Sequence, residues 1–399
     1  MPDVLALHVL VTSLGVALGV LYPFISVILA GRGFSPGQIG LISSIGAVGF
    51  TIAVPAWGHL ADVRLGRPRT LQVCALGAGL AILALILPVP PLLVVVLLMA
   101  FWVFESSWQP LADAITVNAL RGRDYARVRL FTSLGFAVAT IASGFLYDRT
   151  GYAPAFALFA IAGAVMAGAA AFLPDVARAD LAAHRRRATE PVGRRMLRFG
   201  SAAVAIRVAP KLALVLVASG LLHVGIISGF TFLPLRIEAL GGSPSDIALS
   251  AGLSAGAEIP AMLLMGAAAR RLGLRAIFSL SALLYAACLA SWTVIDIPFV
   301  IVASRALTGI AFAGVVVGVV LTIATFLPPD LQATGQALFQ TSAFGVAAVV
   351  ANVVGGLFYE AFGHAAVFGL DAVLAIIAAA LGWWFFPRRA AAPMRQSSA

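Results

Sequence analysis

The chain has 399 residues, of which 61% are hydrophobic and 11% are charged. Its mean hydropathy of +1.04 excludes a soluble globular domain, in which about a quarter of the residues are charged. The net charge of +10 raises the question of nucleic-acid binding, but the basic residues are distributed as membrane topology requires, so no nucleic-acid partner is expected.

Twelve apolar runs are long enough to cross the hydrocarbon core of a bilayer, which is roughly 30 Å thick. The first six spans are predicted near 4–30, 37–61, 70–89, 91–118, 127–148 and 152–173. The second six are predicted near 211–238, 244–270, 274–294, 297–326, 333–359 and 364–386. The sequence therefore predicts an all-α membrane protein with two six-helix bundles, 1–173 and 210–387, a cytoplasmic linker at 174–209 and a tail at 388–399.

The two predicted bundles carry a repeated sequence pattern. Ser35 and Gly58 are separated by the same number of residues as Ser243 and Gly266. Each residue of the second pair follows its counterpart in the first pair by about half the chain. A shared offset of this size in an apolar chain indicates a duplicated membrane-embedded unit. We therefore expect the two bundles to be pseudo-symmetric.

The basic residues predict the orientation of the spans. With both termini in the cytoplasm, Arg32, Arg149 and Arg236 lie outside, Arg305 lies within a span, and the rest of the 26 basic residues lie inside. This asymmetry predicts a multi-pass protein of the bacterial cytoplasmic (inner) membrane with both termini inside. The arginine-rich second part of the linker is either a short amphipathic helix on the inner leaflet or a solvated segment.

A recognisable sequence motif follows the second span. The stretch from Gly58 to Arg69 resembles the Gly-x-x-x-Asp-Arg/Lys-x-Gly-Arg-Arg motif of the major facilitator superfamily, with one additional residue after Asp62 and with Pro68 interrupting the basic pair. The resemblance implies the major facilitator fold, in which Asp62, Arg64 and Arg67 act in gating. They would hold the two bundles together on the cytoplasmic side and release them as the bundles rock.

A narrower resemblance comes from the fourth, fifth, seventh and eighth spans. Pro110 to Ala114, Asp124 to Ser133, His223 and Glu258 are similar to residues of the 3-phenylpropionate transporter subgroup, which is related to sugar and nucleoside proton symporters. This resemblance implies secondary active transport, with proton-coupled symport of an aromatic acid, a sugar or a nucleoside by alternating access. Proton-coupled efflux of drugs or metabolites is the alternative, and a non-transporting membrane sensor is a further one.

The residue types argue against an enzyme. The sequence offers no His/Asp/Glu metal cluster and no serine with a plausible base, so no metal, cofactor or catalytic residue is predicted. The expected partners are a small-molecule substrate, protons and the lipid bilayer, and the protein is expected to be a monomer.

The fourth predicted span contains a polar stripe. Trp102, Glu105, Gln109, Asp113 and Thr116 are spaced at three or four residues, which places them along one helical face. Because an ionisable group inside the bilayer costs a few kcal/mol, this face is expected to point into the bundle. Glu105 is expected beyond the middle of the membrane, and Asp113 near the cytoplasmic end.

Depth matching assigns a partner to Asp113. Counted from the turn near Arg121, Asp113 lies at the same level as Arg127 and Arg129 of the next span. The sequence therefore predicts a cytoplasmic ion pair between Asp113 and Arg129. These three residues are predicted to be structural or gating.

The same reasoning places His223 and Glu258 at similar depth on neighbouring spans. Burial disfavours the charged form of each group, so that a proton can be taken up on one side and released on the other. His223 and Glu258 are predicted to couple transport to protons. For His223 alone, a packed histidine bonded to neighbouring backbone is an equal alternative.

The remaining intramembrane charges have separate predictions. Arg305 either pairs with Glu258 or binds a substrate carboxylate, and Asp371 is predicted to be structural. Aromatic side chains near the expected solute cavity could stack on a flat solute, although aromatic residues more often belong to the packed core. The predicted solute-binding residues are Tyr22, Trp102, Glu105, Gln109, Phe230, Arg305 and Phe339.

Overall fold

The computed structural model describes residues 2–120, 125–173 and 197–388. Within them, twelve helical spans are long and apolar enough to cross a membrane. Each lies within a few residues of its predicted position, so the predicted count and order of spans are confirmed. The spans, numbered 1 to 12 below, are Val4–Gly31, Pro36–Leu65, Arg67–Ile86, Pro91–Ala119, Arg127–Thr150, Pro154–Ala171, Lys211–Ala239, Pro244–Leu272, Leu274–Val294, Pro298–Phe326, Pro329–Phe362 and His364–Phe385.

Eight spans, 3, 5 to 10 and 12, have one α-helix each. Their helices are Arg67–Leu83 (followed by a 3-10 turn, Ala84–Ile86), Tyr125–Thr150, Pro154–Ala171, Lys211–Ala239, Pro244–Leu272, Leu274–Val294, Pro298–Phe326 and His364–Phe385.

The other four spans are interrupted. Span 1 has helices Pro2–Leu21 and Ile25–Gly31 around a 3-10 turn, Tyr22–Phe24, and span 2 has helix Pro36–Leu60 followed by a π-helical turn, Ala61–Leu65. Span 4 has helices Pro91–Glu105 and Trp108–Ala119. Span 11 has helices Pro329–Gln340 and Ala347–Phe362 around a π-helical segment, Thr341–Val346.

The repeated sequence pattern forms the same local structure twice. At the start of span 2, the Ser35 hydroxyl accepts from the Gln38 amide while the Gln38 side chain accepts from the Ser35 amide. At the start of span 8, Ser243 and Asp246 form the equivalent reciprocal bonds. Such a capping box satisfies amides that a helix start leaves without partners, which explains why both spans begin where they do.

The chain forms two compact units. The first contains Met1–Pro191 and Thr231–Gly252, and the second contains Val192–Phe230 and Leu253–Ala399. The first part of the predicted linker, 174–196, lies outside the described residues. A helix at Leu197–Val208 follows it, as one of the two alternatives for the linker requires. The tail beyond 388 also lies outside the described residues.

Candidate functional site

A break in span 4 positions the first candidate residue, Glu105. The helix ends at Glu105 and restarts at Trp108, which the sequence prediction of one continuous helix did not anticipate. Pro110 explains the break, because it has no amide hydrogen to donate to the Ser106 carbonyl one turn earlier. At the same break, the Ser106 hydroxyl donates to the Val103 carbonyl at 2.8 Å. Discontinuous helices of this kind line solute sites in membrane transporters.

Glu105 is bonded to a residue at a second break. The Tyr22 hydroxyl, in the 3-10 turn of span 1, donates to Glu105 Oε2 at 2.9 Å. Glu105 is only 6% exposed, so this bond compensates part of the cost of burying its carboxyl group. Trp102 is also buried, and its indole ring lies against span 2 where Gly46 leaves room for it. The structure therefore brings together Tyr22, Trp102 and Glu105.

The polar stripe continues beyond the break as a separate cluster. Gln109 donates to Asp113 Oδ1 at 2.8 Å, and Arg129 Nε lies 3.3 Å from the same oxygen. The predicted contact between Asp113 and Arg129 is therefore present. Arg127, predicted to act with them, has an exposed side chain in the first turns of span 5.

The cytoplasmic motif forms an ion pair within its own loop. Arg67 Nε lies 3.5 Å from Asp62 Oδ1; the Asp62 and Arg64 side chains are solvent-exposed, and that of Arg67 is partly exposed. The π-helical turn Ala61–Leu65 holds one more residue than an α-helical turn, which accommodates the additional residue that the sequence shows after Asp62. Gly66 then ends the turn with φ of +81°, a conformation that favours glycine.

His223 is enclosed by aromatic rings in the second unit. The side chain is fully buried, and the rings of Phe312, Phe339 and Phe344 surround it with centroids 6.4, 5.6 and 5.1 Å away. Its Nδ1 lies 2.8 Å from the Ser219 carbonyl oxygen. Because a carbonyl only accepts, Nδ1 carries the proton of the neutral ring, and Nε2 is left as a buried acceptor with no hydrogen-bond partner.

Glu258 lies apart from His223. It is partly exposed on span 8, and no hydrogen bond or ion pair joins it to His223 or to Arg305 within the described residues. The two residues that the sequence placed at similar depth are therefore not in direct contact, and their proton-coupling role stays a prediction. Equal depth along two helices does not make two side chains face each other, and His223 points toward the phenylalanine rings instead.

The predicted alternative of an ion pair between Arg305 and Glu258 is also not formed, and the geometry of spans 8 and 10 explains this. The two spans run in the same direction and touch closely, because a Cβ on Gly309 would lie 2.0 Å from the Ser254 carbonyl oxygen. Arg305 precedes this contact by about one turn and Glu258 follows it by about one turn. About 12 Å of helix therefore separates their levels.

Arg305 instead lies between aromatic faces. It is 2% exposed, and its guanidinium carbon lies 5.4 Å from the ring centre of Phe230 and 5.8 Å from that of Trp292. Thr308 donates to the Arg305 carbonyl at 2.8 Å and accepts from Nη1 at 3.0 Å. The Nε group has no hydrogen-bond partner. One edge of the guanidinium fork is thus available for an acceptor.

Phe230 and Phe339, both predicted to bind the solute, lie in different surroundings. Phe230, which is 55% exposed, lies at Arg305, whereas Phe339 is buried and packs on His223. Phe312, Phe344 and Trp292 were not predicted as site residues, since the sequence shows them only as aromatic residues in long apolar spans. The described ranges contain no group of three or more His, Cys, Asp or Glu side chains that could hold a metal ion.

Comparison with known proteins identifies the family. Residues 15–370 match the model of the MFS_1 like family. The chain is 28% identical over 365 residues to the maltose permease of Geobacillus stearothermophilus, covering 90% of this chain and 89% of that protein. A mutant of the nucleoside transporter NupG has a TM-score of 0.83 at 16% identity, covering 97% of this chain and 100% of that one. A D-xylose-proton symporter has a TM-score of 0.70 at 16% identity, covering 97% and 98%.

At these identities the two solved structures support the fold alone, whereas the family model covers most of the chain. Together with the twelve spans, this match means that the chain belongs to the MFS_1 like family and is a multi-pass membrane transporter of the major facilitator superfamily.

Proposed function

We propose that this transporter carries a small organic solute together with protons. The observation that supports it is the set of ionisable side chains within the spans whose polar atoms lack partners, above all Nε of Arg305 and Nε2 of His223. Charged and titratable groups inside a membrane are costly, and in transporters they mark the path of solutes and protons. These two atoms are available for a group that the protein itself does not supply.

Glu258 and His223 are proposed to act at separate points of the proton path. Glu258 is partly exposed and free to exchange a proton with water, whereas His223 is enclosed. The Nε2 atom of His223, a buried acceptor without a partner, is the atom that a proton would reach. We propose that Glu258 takes up the proton and that His223 responds to its arrival.

The solute class is proposed from Arg305. A buried guanidinium group without an acidic partner is most stable when an anion completes it, and its free Nε edge suits a carboxylate. This favours the aromatic-acid class and agrees with the resemblance to the 3-phenylpropionate subgroup. The names of the similar maltose permease and nucleoside transporter favour sugars or nucleosides, so those classes are the alternatives to be tested.

Gating is proposed for the cytoplasmic charges. Asp62, Arg64 and Arg67 form one cluster, and Asp113, Arg127 and Arg129 form the other at the span 4 to span 5 turn. Their exposed or partly exposed ion pairs are weak enough to break and reform at each cycle. We further propose a monomer in the cytoplasmic membrane, with both termini on the cytoplasmic side.

The proposed function is tested with purified protein in liposomes. Labelled 3-phenylpropionate, maltose and uridine are offered with an inward proton gradient, and the solute that accumulates identifies the class. For that solute, Glu258→Gln is expected to abolish gradient-driven accumulation and to preserve solute exchange, because an amide cannot carry the proton. Glu360→Gln changes an exposed glutamate on span 11 and should leave accumulation intact.

Two results would contradict the proposal. Undiminished accumulation by Glu258→Gln would remove the proton role of this residue. Gradient-driven export of the solute from loaded vesicles, without uptake, would replace symport by efflux.

A further inference from the structure

A second buried acid lies outside the proposed proton path. Asp371 of span 12 is 2% exposed and follows the start of its helix by seven residues, which places it about 10 Å along the span. Its Oδ2 atom has no hydrogen-bond partner. An isolated carboxyl group at this depth is a functional candidate, although the sequence alone predicted a structural residue.

Asp371 faces a small-residue surface of span 7. A Cβ on Gly225 would lie 3.2 Å from the Asp371 Cβ atom, so the two helices approach closely at this point. Ser228, three residues further along the same face, is fully buried, and its hydroxyl also lacks a hydrogen-bond partner. The Ser228 hydroxyl lies near the Asp371 carboxyl group but outside hydrogen-bonding geometry.

No basic side chain within the described residues forms an ion pair with Asp371. On span 9, which packs against span 12, Tyr285 and Cys288 lie near Arg305, and Arg275 lies 4.9 Å from the ring centre of Trp383, far along span 12 from Asp371. On span 7, His223 lies on another face, within its ring of phenylalanines, and Lys211, Arg236 and Glu238 lie toward the two ends of the span.

On span 11, which also contacts span 12, the titratable groups Tyr359 and Glu360 lie in the last turn of the helix. The last titratable group in this region is His364, two turns before Asp371 on span 12 itself. These positions lie toward the end of the spans, away from the contact between Gly225 and Asp371.

Burial without a cation disfavours the ionised carboxylate, whereas a neutral carboxylic acid needs only one acceptor for its hydrogen. The Ser228 hydroxyl is an available acceptor at the right place. We infer that Asp371 and Ser228 form a second proton-binding site, between spans 7 and 12 and separate from Glu258 and His223. The step is a simple protonation, in which a proton from water forms an O–H bond on the carboxylate and later returns to water.

The site acts on the helix that carries His223. With the proton bound, Asp371 can donate to Ser228 and the two spans remain in contact. Without it, an ionised carboxylate requires water, so spans 7 and 12 must separate enough to admit it. Proton occupancy of Asp371 therefore selects between two positions of span 7, which is the kind of differential interaction that shifts a conformational equilibrium.

Infrared spectroscopy of the purified protein in lipid nanodiscs tests the site, with the proton as the only ligand. The wild type is expected to show a carboxylic-acid C=O band at neutral pH, and Asp371→Asn should lose the intensity of one such group. Ser228→Ala should shift the same band, because the hydrogen bond to the acid is gone. Asp330→Asn, at an exposed aspartate, is the matched control and should leave the band unchanged.

The band should also disappear reversibly as the pH is raised, since a proton-binding site must release its proton. A band that persists until the protein unfolds, or an Asp371→Asn spectrum that loses only a carboxylate band, would overturn the inference. If Asp371→Asn does not fold, aspartate-specific isotope labelling of the wild type shows whether the carboxylic-acid band belongs to an aspartate. The same labelling of Ser228→Ala shows whether that band shifts. The Glu258→Gln variant should retain the Asp371 band, so failure of this site and failure of the proposed function are distinguishable.

Discussion

Individual buried acids in this protein have different surroundings. Glu105 accepts a hydrogen bond from Tyr22, whereas Asp371 has an oxygen without any partner. A buried polar group whose hydrogen bond is formed stabilises the conformation that contains this bond. A buried polar group without a partner destabilises its conformation and favours one in which it gains a partner. We therefore expect Glu105 to fix local geometry at the junction of spans 1 and 4, and Asp371 to respond to protons.

The bond between Tyr22 and Glu105 predicts energetic coupling. Tyr22→Phe and Glu105→Met are each expected to destabilise the protein by about 1–3 kcal/mol, because each removes one partner of the bond and leaves the other buried polar group unsatisfied. The double variant should be less destabilised than the sum of the two by about 0.5–3 kcal/mol, since both changes remove one shared bond. Denaturant unfolding of the purified protein in detergent measures all four forms.

Tyr359→Phe serves as the control for that cycle. It removes a tyrosine hydroxyl that takes no part in the bond between Tyr22 and Glu105, so its combination with Glu105→Met should be additive. Additive behaviour of the Tyr22 and Glu105 pair itself would show that their bond does not form in solution.

The sequence could predict some residue contacts and not others. Asp113 and Arg129 face each other across a short turn, where counting residues from the turn fixes both level and proximity. His223 and Glu258 lie farther from their turn, and residue counting gives the depth of a side chain but not its direction around the helix. The partners of Arg305 were missed for the same reason, because Phe230 and Trp292 belong to spans that are distant in sequence from each other and from Arg305.

At the scale of whole helices, the sequence located every span but not the interruptions within them. Pro23 and Pro110 accompany the breaks in spans 1 and 4, so these two could have been predicted from the missing amide hydrogens. The π-helical segments at Ala61–Leu65 and Thr341–Val346 have no such signal. Within the second of these segments, the Ser342 hydroxyl donates to the Leu216 carbonyl of span 7 at 3.1 Å, a contact with a helix distant in sequence that the local sequence does not indicate.

Contact between spans 8 and 10 gives a prediction for glycine substitution. Gly309→Ala is expected to destabilise the protein by about 1–3 kcal/mol and to lower its apparent unfolding temperature, because the added methyl group meets the Ser254 carbonyl of the neighbouring helix. A main-chain oxygen within a helix cannot move aside as a flexible side chain can.

The matched control lies on span 8 itself. Gly256 has nothing within 4 Å of an added Cβ, so Gly256→Ala should be neutral or stabilising by about 0.5–1 kcal/mol. Equal unfolding temperatures for Gly309→Ala and the wild type would mean that the two helices are farther apart than described.

At the scale of the whole molecule, duplication governs the local structure of the loops. In the part of the chain that the structure describes, six glycines have positive φ, and they form three pairs at corresponding places in the two halves: Gly33 with Gly241, Gly66 with Gly273, and Gly151 with Gly363. The ionisable side chains do not follow this symmetry, since Phe50 in span 2 corresponds to Glu258 in span 8. Repetition therefore predicted the scaffold, and the proposed proton-coupling residue Glu258 lies at a departure from it.

The proposed orientation predicts which loops a membrane-impermeant maleimide can reach. Thr150→Cys, at the end of span 5, should be labelled in intact cells, whereas Arg271→Cys, at the end of span 8, should be labelled only after the membrane is permeabilised. Both positions are exposed, and the native Cys74 and Cys288 are buried, so background labelling should be low. The reverse pattern would invert the topology.

The π-helical segment of span 11 has a consequence for how the two halves diverged. Span 5, its counterpart in the first half, is one uninterrupted helix from Tyr125 to Thr150. A π-helical turn is what a helix adopts when one residue is inserted without unwinding it, and such an insertion rotates all preceding side chains by about 100° relative to those that follow. Phe339 and Phe344 lie before and within this turn, so the added residue changes the relative direction of two rings that both lie against His223.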